Sequence, residues 1–143
     1  PILFITAAGG VLGKVIATSD MVNYISHHAD IFKDMGIFFP FLLAAILKTA
    51  QGSSTVALIT TAGIVAPILP ILGYNTPIEV TLVCMAIGAG AMTVSHANDS
   101  YFWVVSEFSG LTPDQGYRVQ TMGTLVLGIA AIAEIALLSL VLH

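Results

Sequence analysis

Long apolar runs alternate with short polar interruptions along this chain, and five of the runs approach the length of a membrane-crossing helix. Because a helix rises about 1.5 Å per residue, about 20 apolar residues cross the roughly 30 Å of hydrocarbon in a bilayer. Pro1 to Thr18 holds Gly9, Gly10 and Gly13 ahead of Lys14, the pattern of half a span or of a helix packed closely on neighbours. Ile37 to Leu47 is uncharged and ends at Lys48, and Val56 to Leu72 is interrupted by Pro67 and Pro70. Val80 to Val94 contains Gly88-Ala89-Gly90-Ala91, small residues that let another backbone approach. Met122 to Leu142 is the cleanest run, broken only by Glu134. The pattern predicts an all-α, polytopic membrane protein with about five hydrophobic helical segments, two of them discontinuous or re-entrant.

The segments between these runs read as wet connections. Ser19 to Gly36 carries three aspartates, Lys33 and the pair His27 and His28, and is expected to form a polar loop or short surface helix. Tyr74 to Pro77 has turn composition. In Leu111-Thr112-Pro113-Asp114, Thr112 is placed as an N-cap with Pro113 at the first helical position. No repeat or linker divides the chain, so residues 1–143 are read as one membrane unit.

The discontinuities are located by two polar clusters. Thr49 to Ile78 is the longest uncharged run and would make a single helix of about 45 Å, whereas Ile37 to Ala50 reaches only about 21 Å. A break at Gln51-Gly52-Ser53-Ser54-Thr55 therefore falls at membrane depth. Unwound backbone in hydrocarbon survives only where protein or a hydrated cavity supplies partners. Gln51, Ser53, Ser54 and Thr55 can supply them, and Gly52 permits the turn. A second cluster, Ser95-His96-Ala97-Asn98-Asp99-Ser100, ends the run Val80 to Val94. Paired discontinuous helices point to a transporter binding site, with half-helix N-termini aiming positive dipole ends at an anionic solute. Ser53, Ser54 and Thr55 would open one half-helix, and Asn98, Asp99 and Ser100 the other.

Composition narrows the class. Only 8% of the 143 residues are charged and 57% are hydrophobic, against roughly 25% charged in soluble domains. The net charge of −4 comes without any basic cluster, which argues against nucleic acid as a partner. The lone Cys84 has no intrachain partner and reads as a small core hydrophobe. The sequence opens on Pro1 within an apolar stretch and is read as a piece of a longer chain. His27, His28 and Asp30 complete no recognised metal spacing, so neither a metal nor a cofactor is expected.

Two motifs carry a resemblance. LKTAQGSSTVALITTAGIVAP (Leu47 to Pro67) and GAGAMTVSHANDSYFWVV (Gly88 to Val105), with AGG at Ala8 to Gly10, resemble the carboxy-terminal part of the gluconate permease family, proton-coupled sugar-acid symporters of the wider ion-transporter superfamily. Members are longer polytopic proteins, so the resemblance implies a missing amino-terminal part carrying the matching half of the site. It also implies a multi-pass chain of the cell (inner) membrane, with lipid, protons and a gluconate-like anion as partners and a homo-oligomer as a possible assembly. Lys48, Gln51, Gly52, Ser53, Ser54, Thr55, Ser95, His96, Asn98, Asp99 and Ser100 become the candidate substrate-binding residues. The chain departs from the family where Lys48 stands in place of the usual Arg, a point charge instead of a bidentate fork, and where Gly123 replaces the acid that often follows Met122.

Proton coupling then falls to Asp99, His96 and Glu134. An anion held between the breaks with Lys48 offsetting its charge places a second negative group beside Asp99, which favours its protonation, and linkage makes the two binding events reciprocal. His96 can relay a proton or bond a hydroxyl. Glu134, mid-span, cannot cheaply face lipid when ionised and is expected as a protonated acid bonded to a neighbouring helix. Lys48 has a second reading as a snorkelling base, and Tyr101, Phe102 and Trp103 read as an interfacial belt. Ser95, His96 and Asp99 include hydrolase residue types, but nothing resembles a nucleophile elbow, so no enzyme is expected. The alternatives are a sodium-coupled carboxylate carrier and a non-transporting membrane subunit or channel.

Overall fold

The computed structural model describes residues 29–142, together with Val11, Val15, Thr18, Asp20 and His27. The first predicted run, Pro1 to Thr18, lies mostly outside the described residues, as do His28 and the side chain of Asp30. All regular structure among the described residues is helical. In chain order it comprises α1 (Ala29–Met35), α2 (Phe38–Gln51), α3 (Ser54–Val65), a 3-10 turn (Ala66–Ile68), α4 (Leu69–Leu72), α5 (Pro77–Met92), α6 (Ser100–Phe108), α7 (Pro113–Gly116), a π-helical segment (Tyr117–Thr121) and α8 (Met122–Leu142).

Local chemistry sets these boundaries. Gly52 ends α2 in the left-handed conformation, φ 74°, and its N–H bonds the Lys48 carbonyl, while Ser53 caps α3 by accepting from the Val56 N–H. Pro67 and Pro70 lack the N–H an α-helix needs. The predicted Val56 to Leu72 run accordingly tightens into a 3-10 turn at Pro67 before α4 begins. Thr76 and Glu79 form a reciprocal capping box at the start of α5, and Thr112 and Gln115 form another at α7, with Pro113 in its first turn as the sequence indicates. The segment Ser19 to Gly36, expected as a polar loop or short surface helix, contains the short helix α1.

Helix α5 is the centre of the fold and packs against α2, α8 and α3. Ile37, Phe41 and Ala44, Ala57 and Val65, Leu82, Val83, Ala86 and Ile87, and Ile132 and Ile135 form one core. Gly90 makes the α2 contact possible, since a Cβ there would stand 2.9 Å from the Ala44 Cβ. Cys84 is exposed and not in the core, because α5 is apolar around its whole circumference and its composition does not say which face turns inward.

Two described helical stretches are long and apolar enough to cross a membrane, Ser54–Leu72 and Pro113–Leu142. Only 17% of the latter's apolar window is buried, unlike the core helix of a soluble protein. At 14 and 16 residues, α2 and α5 reach only about 21 and 24 Å. Both end at a polar break.

Candidate functional site

The two breaks are stitched to each other. Lys48, in the last turn of α2, and Asp99, the N-cap of α6, form an ion pair with Nζ 2.5 Å from Oδ2, and the side chains are 1% and 7% exposed. The ammonium also donates to the Gly52 carbonyl at 3.1 Å. Asp99 Oδ2 accepts a second bond from Ser95 Oγ at 2.7 Å, while Oδ1 accepts from the Tyr101 N–H at 3.0 Å. A buried charge left alone would cost several kcal/mol, and the pairing offsets that cost with the help of the further bonds to the Gly52 carbonyl, the Ser95 hydroxyl and the Tyr101 N–H. Lys48 therefore does not snorkel toward headgroups; its partner lies 51 residues away in sequence.

Asn98 completes the stitch in the opposite direction. Its side-chain amide donates to the Thr49 carbonyl at 2.7 Å, satisfying one of the orphan carbonyls at the end of α2. Its main chain lies directly on Gly52. Each break thus supplies the partners that the other lacks.

The remaining candidates divide around this pair. Gly52, Ser95 and Asp99 are buried with Lys48; Ser53 and His96 are partly exposed; Gln51, Ser54, Thr55, Asn98 and Ser100 are exposed. The partners expected from Gln51, Ser54 and Thr55 for the first break come instead from Asn98, Lys48 and the Ser53 cap. Ser54 and Thr55 sit in the first turn of α3, where unpaired N–H groups and the positive end of the helix dipole favour negative charge. At the start of α6 the N-cap position, filled by Ser53 on α3, is taken by the acid Asp99.

Ser54 and Thr55 also border a cavity of about 580 Å³ between α3, α5 and α8, with Leu58, Met85, Gly88 and Glu134 among its lining residues. Glu134 lines this space, and among the described residues no hydrogen bond joins it to a neighbouring helix. The aromatic trio is divided as well. Phe102 is fully buried, with its ring 5.4 Å from that of Trp103 and 5.0 Å from that of Tyr117, and the Trp103 indole donates to the Ala97 carbonyl at 2.8 Å. Only Tyr101 and Trp103 retain the exposure expected of a belt residue.

Sequence reasoning missed Thr121 and Thr124. The Ser95 N–H donates to Thr124 Oγ1 at 3.0 Å, and the Ser95 carbonyl accepts from Thr121 Oγ1 at 2.6 Å. Hydroxyls three residues apart at the mouth of the cleanest hydrophobic span were the available signal.

Comparison with known proteins places this geometry in a lineage. The chain is 35% identical over 142 residues to a gluconate permease of Bacillus subtilis (strain 168), an alignment covering 97% of this chain and 30% of that protein. It is 34% identical over 142 residues to the Gnt-II system L-idonate transporter of Escherichia coli (strain K12), covering 99% of this chain and 31% of the relative. The D-serine transporter DsdX of the same organism is 31% identical over 141 residues, covering 99% and 31%. The chain therefore spans about a third of the length of these curated relatives. No solved structure matches it. These relatives are named for transport, and the Ser95 hydroxyl is bonded to Asp99. A model of the GntP family permease matches residues 1–141, and with these relatives it shows that the chain belongs to the GntP family of permeases.

Proposed function

We propose that this chain is the carboxy-terminal part of a multi-pass permease of the cell (inner) membrane that carries gluconate or a related small hydroxy carboxylate together with a proton. The names of its relatives support the substrate class: two are named for gluconate or L-idonate and a third for D-serine, all small molecules with a carboxylate. The observation that carries the reading is the buried Lys48–Asp99 ion pair joining the two breaks.

Charge balance gives the coupling. A carboxylate entering this site needs a cation, and Lys48 is already held by Asp99. If Asp99 takes a proton, its negative charge disappears and the ammonium is released to the incoming anion. The cluster contains one positive and one negative group before the exchange and one of each after it. Either half of the exchange alone leaves a buried unpaired charge, which costs several kcal/mol. Carboxylate binding at Lys48 and proton binding at Asp99 therefore favour each other, and by linkage they do so equally. The first turn of α3, with Ser54 and Thr55 exposed, supplies further positive potential for the anion. His96, partly exposed beside Asp99 in the second break, would bond a substrate hydroxyl or pass the proton.

Radiolabelled gluconate uptake into vesicles carrying the complete permease tests this directly. Accumulation driven by an inward proton gradient, unchanged when sodium is replaced, is the expected result. Accumulation that follows sodium instead moves the chain to a sodium-coupled carrier, and no uptake under either gradient contradicts the reading.

A further inference from the structure

We infer that Thr121 and Thr124 are positioning residues of the transport site, holding the second break in the conformation that presents Asp99 to Lys48. As a transport role this rests on the function proposed above.

The break between α5 and α6 leaves backbone groups with no helical partner, and at Ser95 both are filled from the last helix. Thr124 Oγ1 receives the Ser95 N–H, and Thr121 Oγ1 donates to the Ser95 carbonyl. Thr124 Oγ1 in turn donates to the Thr121 carbonyl at 3.1 Å, so each hydroxyl is fixed in direction by its bonds. The Ser95 side chain then donates to the same Asp99 oxygen that Lys48 holds. An unbroken path of hydrogen bonds thus runs from α8 through Ser95 and Asp99 to α2.

Two further features keep the clamp in reach. Gly128, one turn beyond Thr124, lets α8 lie against the end of α5, since a Cβ there would stand 2.9 Å from the Thr93 Cβ. Thr93 is itself pinned by a 2.8 Å bond to the Ala89 carbonyl. On the other side, Val94 adopts φ 55°, which a β-branched residue holds only when its surroundings impose it. The clamp on Ser95, the next residue, provides that imposition. Thr121 also closes the π-helical segment Tyr117–Thr121 that leads into α8, a geometry that occurs often at functional sites and that sets the rotation at which Thr121 and Thr124 are presented.

The experiment uses the full-length permease with Thr121→Val and Thr124→Val, which keep side-chain shape but remove the hydroxyl, and with Thr→Ser at each position, which keeps the hydroxyl. Positioning predicts a KM for gluconate raised about tenfold in the Val variants, counted per folded molecule, and restored by Ser. A purely structural role predicts fewer folded molecules with an unchanged KM, and that result overturns the inference. Amide exchange on the unmodified permease supplies a readout independent of both transport and substitution. The Ser95 N–H is expected to exchange far more slowly than the exposed first-turn amide of Asp114, and equal rates also overturn the inference. If the wild-type permease transports no gluconate while Ser95 is protected, the functional reading fails and the clamp stands.

Discussion

The main chains of Gly52 and Asn98 meet with no side chain between them: a Cβ on Gly52 would stand 2.6 Å from the Asn98 carbonyl carbon, and Gly52 has φ 74°. Two independent requirements select glycine here. Gly52→Ala is predicted to lose about 1–3 kcal/mol from backbone conformation alone. The collision adds to this because neither atom can rotate away. Thermal unfolding of the purified permease in detergent measures the effect, and an unchanged melting temperature contradicts it.

Removing one member of the ion pair strands the other. Lys48→Ala and Asp99→Ala are each predicted to destabilise by about 3–5 kcal/mol, because an uncompensated charge is left where the native side chains are 1% and 7% exposed. The double variant Lys48→Met/Asp99→Leu is predicted to regain most of that stability and still fail to transport. A double variant as unstable as the worse single variant would show that the pair is not the source of the loss.

Charge, and not the particular head group, is what the proposed site requires of position 48. Lys48→Arg is predicted to retain gluconate uptake within about an order of magnitude, since a guanidinium can serve both Asp99 and the Gly52 carbonyl. Lys48→Gln is predicted to abolish uptake at equal expression. Uptake by the Gln variant comparable to wild type would remove Lys48 from substrate binding.

The caps away from the ion pair offer a contrast. Thr76→Ala and Thr112→Ala each dismantle a capping box and are predicted to cost about 1 kcal/mol in stability. Neither is predicted to change the KM for gluconate. A shift in KM from either would mean that the site responds to stability in general.

Much of this arrangement was legible from polar punctuation alone. Clusters of polar residues at Gln51 to Thr55 and Ser95 to Ser100 locate both breaks, because unwound backbone in an apolar surround has to be satisfied by such groups. The Thr112-Pro113 cap was equally readable, since its donor and acceptor lie within one turn. The pairings between breaks were not. Lys48 and Asp99 are 51 residues apart, and hydropathy carries no information on which distant polar group fills which valence. For the same reason hydropathy does not reveal that the amide of Asn98, a candidate substrate-binding residue, caps the Thr49 carbonyl. Cys84 is exposed where a core position was expected, because its helix is apolar on nearly every side and gives no rotational reference, and Phe102 is buried where a belt position was expected. Nothing in the hydropathy pattern sets Thr121 and Thr124 apart from the ordinary polar mouth of a span.

Proton-driven accumulation by Asp99→Asn is the most direct measurement of whether Lys48 is released by a proton on Asp99. Asparagine mimics the neutral acid at nearly the same size and leaves the ammonium permanently free. Exchange of internal for external gluconate is predicted to continue in this variant, while uphill accumulation under a proton gradient is lost. Accumulation against a concentration gradient equal to that of the wild type would contradict the account.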